Sequence, residues 1–433
     1  MAVKQLVVFT PLDSNLLISP LKSGTFVFKG ALFSVLRKLI WTGLFKPPPF
    51  QIQAIIPMMF NHRDALEDLN SHLPLKDKLV SAHRVIQQNL DFVARIAVTL
   101  FDSQTHVLRT YIDSSGEDNP LNNYQIPLNQ ARSLKEILEK KRPRVVNNLI
   151  TFEQGNQEHT KRIGRQGYAA SYTMPMFHGG EFIGFLFFNS YQTNVFTEKA
   201  LRELDVFGHL IALMVISELS TIHVMNAALK TTGKITHLRD PETGSHLDRM
   251  SRYSRLIAQS LARQYQLNDE YIEYVFMFSP LHDIGKIAIP DSILLKPGPL
   301  SASERKIMNT HARRGREMID EIVANFSLDG IAHIDILRNI AEFHHEAVNG
   351  SGYPCGKINH DIPLEARIVA VADIFDALTS RRPYKEAWSN DRAFDTLRQL
   401  AGEKLDVDCV NALIEHRAEI ERIQCQFNED VYG

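Results

Sequence analysis

The chain has 433 residues, 44% of them hydrophobic, enough to bury a large core and to divide into two or three domains. A formal net charge of -2 and an isoelectric point near 6.8 exclude the broad basic field that holds duplex nucleic acid, so phosphate recognition has to be local. Cys355, Cys409 and Cys425 lack Cys-x-x-Cys spacing and read as neither a disulfide framework nor a cysteine zinc site, so a reducing cytoplasm is the expected location.

Residues 1–58 stand apart from the rest: Lys4, Lys22, Lys29, Arg37, Lys38 and Lys46 face only Asp13. The apolar stretch from Thr25 to Phe45 is interrupted by Lys29, Arg37 and Lys38, too polar for a membrane span, and a poorly ordered extension is expected. Met58 and Met59 precede the polar run Asn61 to Asn70 and offer an alternative translation start.

Residues 59–219 carry a mixed α/β pattern. Ser81 to Thr99 has apolar residues at helical spacing, and Thr105 to Tyr111 reads as a strand. Ala169 to Phe177 and Glu181 to Asn189 form a hairpin around His178-Gly179-Gly180, with both strands expected centrally in a sheet. Thr197 suits an N-cap, and Leu201, Leu204, Phe207, Ile211, Met214 and Val215 make one stripe of a long helix with no strong breaker before Gly233. That helix is expected to be a rigid connector and the seam of a parallel homodimer. The order of these elements, with Ser133-Leu134-Lys135-Glu136-Ile137 ahead of the hairpin, resembles a GAF domain. The resemblance implies a regulatory module with a small-molecule or protein input that no residue here names.

Residues 220–433 read as all-α, with helical patterns over Arg249 to Tyr265, Asp269 to Phe278, Ser303 to Asn325, Ile331 to His345 and Leu364 to Ala377. Seven of the 17 histidines fall between His237 and His345. Glu242 and His246 are four apart, His282-Asp283 is followed by Lys286, His311 opens a basic stretch, His344-His345-Glu346 ends a helical pattern, and Asp373 and Asp376 are one turn apart. Imidazole and carboxylate together suit borderline divalent metals such as iron, manganese or zinc, and an aspartate can bridge two ions. Each residue alone also has a plain reading as a cap or a hydrogen-bonded core side chain.

The ordered series is similar to the HD-GYP subgroup of HD-domain phosphohydrolases. His282-Asp283-Ile284-Gly285-Lys286 matches its HD-x-G-K element, and His344-His345-Glu346 followed by Asn349-Gly350-Ser351-Gly352-Tyr353-Pro354 matches its GYP element. Pro290-Asp291, Leu295-Lys296-Pro297-Gly298, Asp373-Ile374-Phe375-Asp376-Ala377-Leu378 and Arg381-Arg382-Pro383-Tyr384-Lys385 extend the match to about 190 residues. The resemblance implies hydrolysis of a 3′,3′-cyclic dinucleotide, cyclic di-GMP or cyclic GMP-AMP, at two or three ions, iron or manganese. The ligands it implies are His282, Asp283, His311, His344, His345 and Asp373, with Asp283 bridging, and Glu242 and His246 for a third ion. It also implies Lys286 beside the reacting phosphate, with Arg382, Lys385, Tyr353 and Asp376 near the substrate. Asn349 departs from the family's usual Asp, either altering base selection or serving a tight turn. Two other readings compete: an HD phosphohydrolase acting on other nucleotides, and a catalytically silent cyclic dinucleotide-binding protein.

Overall fold

A computed structural model describes residues 5–8, 24–27, 64–115, 124–149, 167–237, 244–325, 333–380 and 386–428. Met1–Asp64 and Ala65–Gly433 are separate units. In the first, β1 (Gln5–Val8) pairs in parallel with β2 (Gly24–Val27). The rest of the expected N-terminal extension lies outside the described residues.

The second unit opens with an α/β domain. Helix α1 (Leu75–Asn89) repeats Leu75, Leu79, Ala82 and Ile86 on one face, and this stripe is fully buried. The helix expected to reach Thr99 stops there, because Arg95-Ile96-Ala97-Val98-Thr99-Leu100-Phe101-Asp102 forms strand β3 (Arg95–Asp102). Its β-branched residues suit a pleated, buried surface better than a helix. Strands β4 (Val107–Asp113), β5 (Gln125–Pro127), β6 (Arg144–Val146), β7 (Ala170–His178) and β8 (Glu181–Ser190) complete an antiparallel sheet of order β5-β4-β3-β8-β7-β6. The β7–β8 hairpin is thus inside the sheet, and Gly179 and Gly180 supply the positive φ of its turn. One sheet face packs on α1 and on α3 (Glu198–His237); the other packs on α2 (Arg132–Lys140).

Thr197 caps α3 by accepting the Ala200 amide at 3.3 Å. Leu204, Ile211 and Val215 are buried against the sheet, a contribution of roughly 1.5–3 kcal/mol per side chain. The stripe read as a dimer seam is therefore largely consumed by its own domain. A second apolar row, Val206, Leu210, Leu213 and Val224, remains exposed. By length and composition Glu198–Met225 is apolar enough to cross a membrane, and 33% of its most apolar window is buried within the protein. Leu219 packs on the sheet domain, whereas Ile222 and Met225 belong to the next core, so one helix serves both domains.

That next domain is helical among its described residues. Helices α4 (Gly244–Tyr265), α5 (Asp269–Phe278), α6 (Ala302–Met308), α7 (His311–Asn325), α8 (Ile334–Phe343), α9 (Leu364–Thr379), α10 (Asn390–Leu400), α11 (Val407–Ile414) and α12 (Arg417–Gln426) surround a core that includes Tyr253, Val275, Ile319, Leu337, Val369 and Phe375. The single helix expected over Ser303 to Asn325 is two. Asn309 and Thr310 interrupt it, with the Thr310 hydroxyl donating to the Ile307 carbonyl at 2.7 Å, a local bond that competes with helix continuation.

Strand β4 docks on α5. Arg109 donates to Glu273 through Nε at 2.8 Å and Nη2 at 3.3 Å, and to Asp102 at 3.2 Å. Arg252 reaches Gln104 at 2.6 Å. Arg109, Arg252 and Arg255 all face the Phe276 ring, at 5.4, 5.6 and 4.5 Å.

Candidate metal centre

Five elements deliver the clustered side chains. His282 and Asp283 follow α5 through a 3-10 turn, and Ile284–Ala288 is a second such turn. His311 opens α7 just past the Asn309-Thr310 break, and His344 and His345 follow the end of α8. His246 is in the first turn of α4, and Asp373 is within α9. Gly285 makes the junction compact. A Cβ there would stand 1.9 Å from the His311 carbonyl oxygen and 2.4 Å from Gly315 N, so only glycine lets the Asp283 turn lie on α7.

Two donor groups result. Asp283, His311, His344 and His345 form one, and His246, His282 and Asp373 the other; within each, the donor atoms lie within 4.8 Å of one another. Asp283 faces both: Oδ1 is 3.0 Å from His311 Nε2 and 3.6 Å from His344 Nε2, and Oδ2 is 3.1 Å from His282 Nε2. Asp373 Oδ1 is 4.0 Å from both His246 Nε2 and His282 Nε2.

The imidazoles are oriented from behind. His282 Nδ1 donates to the Ser279 carbonyl at 3.0 Å, His311 Nδ1 to Met308 at 2.8 Å, and His344 Nδ1 to Ile340 at 2.9 Å. A carbonyl only accepts, so in each neutral ring the proton is on Nδ1 and Nε2 turns a lone pair inward. Asp376 does the same for His246 at 2.7 Å. Burial lowers the His344 pKa, and burial together with the neighbouring His344 lowers that of His345 strongly. Burial would raise the Asp283 pKa, but Lys286, 2.8 Å away, and His282 override it and hold the carboxylate ionised well below its usual range. Neutral imidazoles around an ionised aspartate are the protonation states that metal binding needs. Among the described residues, Asp283 Oδ1, His311 Nε2 and His344 Nε2 are buried with no hydrogen bond. Such atoms cost free energy unless a ligand meets them, so the residues fit a divalent cation.

Seven of the expected ligands, His246, His282, Asp283, His311, His344, His345 and Asp373, are thus brought together. Glu242, Arg382 and Lys385 lie outside the described residues. Asp376 is a correction: its carboxylate is fully buried and receives Arg249 Nε at 2.7 Å, Arg249 Nη2 at 2.9 Å and the Ser380 hydroxyl at 2.8 Å, leaving no surface for a substrate. Arg249, three residues after His246 on the same helical face, is the partner that its spacing from His246 makes available to Asp376. Asn349 is exposed, and its Oδ1 accepts the Ser351 amide at 3.0 Å and hydroxyl at 2.7 Å, which is the tight-turn role. Tyr353 is half-buried with its ring 4.8 Å from that of His345, beside the donor groups.

Residues 241–409 match the family model of the HD domain, and residues 74–215 match that of the GAF domain. Over 200 residues the chain is 45% identical to the cyclic di-GMP phosphodiesterase response regulator RpfG of Xanthomonas campestris pv. campestris, covering 46% of this chain and 50% of that protein. A probable cyclic di-GMP phosphodiesterase of Vibrio cholerae is 40% identical over 195 residues, 44% of each chain. The 3'3'-cGAMP-specific phosphodiesterase 2 of the same organism is 38% identical over 178 residues, 41% of this chain and 32% of that protein. The chain spans about half or less of the length of these curated relatives. With the sheet domain and the helical donor cluster described above, these matches show that the chain carries a GAF domain region followed by an HD domain region.

Proposed function

We propose that this chain is a metal-dependent phosphodiesterase that opens a 3′,3′-cyclic dinucleotide, cyclic di-GMP or cyclic GMP-AMP, to the linear dinucleotide under control of its GAF domain. The observation that carries this reading is the pair of donor groups with Asp283 of one facing His282 of the other and Lys286 alongside. Relatives named for both dinucleotides support it. Iron or manganese is the cation that suits five imidazoles and two carboxylates here, and the free Cys355, Cys409 and Cys425 fit a reducing cytoplasm.

A phosphodiester is anionic and slow to hydrolyse. Bound divalent ions supply the acidified water and the charge neutralisation such a reaction needs. The chain's own residues do the rest. Asp283 directs one carboxylate oxygen to each donor group, and the carbonyl-anchored imidazoles keep Nε2 unprotonated. Lys286 is placed by its 3-10 turn, where residues three apart eclipse one another, and its ammonium is partly exposed beside Asp283. There it meets negative charge developing on the phosphate or on the leaving 3′ oxygen. Tyr353, Arg382 and Lys385 are the proposed substrate contacts. Glu242 joins His246 at a proposed third ion.

The test is turnover of both dinucleotides by purified protein loaded anaerobically with iron or manganese. Linear product that vanishes in Asp283→Ala is expected; intact substrate at every metal loading overturns the reading. Lys286→Ala should keep its metals and lose roughly a hundredfold to a thousandfold in turnover, the effect of removing one oxyanion donor. A near-parental rate would make the lysine only a partner of Asp283.

The exposed row Val206, Leu210, Leu213 and Val224 falls on alternating steps of four and three residues, with Ser217 and Ser220 between, a period that pairs two copies of α3 in parallel. Light scattering at micromolar concentration should give a dimer, and Leu213→Glu a monomer. A monomeric parent protein removes this proposal.

A further inference from the structure

Glu346 ends the His344-His345-Glu346 run but belongs to neither donor group. Its carboxylate is buried and accepts two backbone amides from farther along the chain: Cys355 N–H on Oε1 at 2.7 Å and Lys357 N–H on Oε2 at 2.9 Å. The loop between passes directly over the end of α8. A Cβ at Gly352 would stand 2.2 Å from Ala347 N and 2.5 Å from Glu346 Cα, so glycine alone permits the crossing. On the near side of the loop the Tyr353 amide donates to the His345 carbonyl at 3.2 Å. The Tyr353 ring then lies over the His345 imidazole, centroids 4.8 Å apart at 38°, with the His311 ring at 6.1 Å. Lys357, fixed through its amide, sets its ammonium 4.9 Å from the Phe343 ring.

From this we infer that Glu346 is a positioning residue, a two-oxygen clamp that ties down the far side of the Gly350–Gly356 loop and thereby holds Tyr353 against the donor cluster for the substrate to meet. Two amide donors need two acceptor oxygens. A glutamine offers only one, and its amide group would confront the other N–H. The charge strengthens both bonds, and burial makes the loss of either costly. The inference rests on the cyclic dinucleotide reading for the identity of the substrate but not for the clamp itself.

Glu346→Gln, Tyr353→Leu and the double variant test it, with the parent protein measured alongside. In Glu346→Gln one of the two amides, Cys355 or Lys357, loses its acceptor and should exchange hydrogen at least roughly tenfold faster, while the other keeps a weaker bond. Metal content should be unchanged, with KM for the dinucleotide raised roughly tenfold and kcat within about twofold. The double variant should be no worse than Tyr353→Leu, because the clamp acts through that ring. Unchanged amide exchange overturns the clamp. Loss of metal from Glu346→Gln, or additive losses in the double variant, overturns the positioning role by placing Glu346 behind His345 instead. If the parent turns over neither dinucleotide, the proposed reaction fails, while the exchange measurement still decides the clamp.

Discussion

At the scale of residues, the donor set was legible because metal chemistry restricts the side chains that can serve. Histidines beside carboxylates at helical spacing have few other common reasons to cluster. What each carboxylate faces was not legible. Asp373 and Asp376 are one turn apart and equivalent to a periodicity argument, yet Asp373 joins the donors while Asp376 is sealed behind them by Arg249, His246 and Ser380. Burial and partner decide, and both come from elements distant in sequence. Asp376 therefore acts through His246: it accepts a hydrogen bond from Nδ1 and turns Nε2 toward Asp373. Asp376→Asn halves the acceptors on that carboxylate and removes the charge that Arg249 neutralises. Calorimetric titration with manganese should find affinity at the His246, His282 and Asp373 group reduced about 10- to 100-fold, the usual cost of losing such support, with the Asp283 group unaffected. Unchanged affinity at both groups would mean that packing alone orients His246.

At the scale of elements, the β7–β8 hairpin was readable because a Gly-Gly turn flanked by apolar strands has one common solution, and α5 because Asn268 caps it by accepting the Tyr271 amide at 2.7 Å. Helix α1 was overextended because Val93, Ile96 and Ala97 keep a helical spacing while Ile96 and Val98 keep a strand spacing over the same short run. The break at Asn309-Thr310 mattered most, since it frees His311 to begin a new helix facing Asp283. Gly285 makes the same meeting possible from the other side. Gly285→Ala inserts a methyl group into backbone that cannot move without separating the Asp283 turn from α7. Overpacking of this kind costs about 1–3 kcal/mol, so thermal unfolding should shift down by several degrees. Elemental analysis should find the Asp283, His311, His344 and His345 group depleted of metal. Normal metal content at that group would show that the turn adapts without disturbing the ligands.

At the scale of the whole molecule, the change from a mixed α/β pattern to an all-α one was legible in sequence, but the coupling across it was not, because ion pairs between distant segments leave no periodic trace. Strand β4 contacts α5 at Glu273 and Phe276, and α5 leads straight into His282, so the docking surface and the metal centre share one short element. Arg109, Arg252 and Arg255 converge on Phe276 with Asp102 and Glu273 among them and Asp248 3.9 Å from Arg252. Burial, and then the neighbouring Arg109, push the Arg255 pKa down to about 9, and Arg255 Nη1 is buried without a hydrogen bond among the described residues. Arg109 thus holds a carboxylate that Arg255, on the adjacent helix of the same domain, would otherwise attract. Removing Arg109 should hand Glu273 to Arg255, whereas removing Glu273 leaves Arg109 and Arg255 with Asp102 as their remaining nearby carboxylate. Truncating one member of a buried pair costs about 3–5 kcal/mol when nothing replaces it, and that is the expectation for Glu273→Ala. Arg109→Ala should cost less, about 1–2 kcal/mol, and Arg109→Ala with Arg255→Ala should cost more than the sum of the single changes. Chemical denaturation of the four variants measures all of these. Equal losses from Arg109→Ala and Glu273→Ala would refute the exchange of partners. The ordering expected here would give the GAF domain a means of acting on α5: a shift of β4 that releases Glu273 lets Arg255 draw it inward, nine residues before His282.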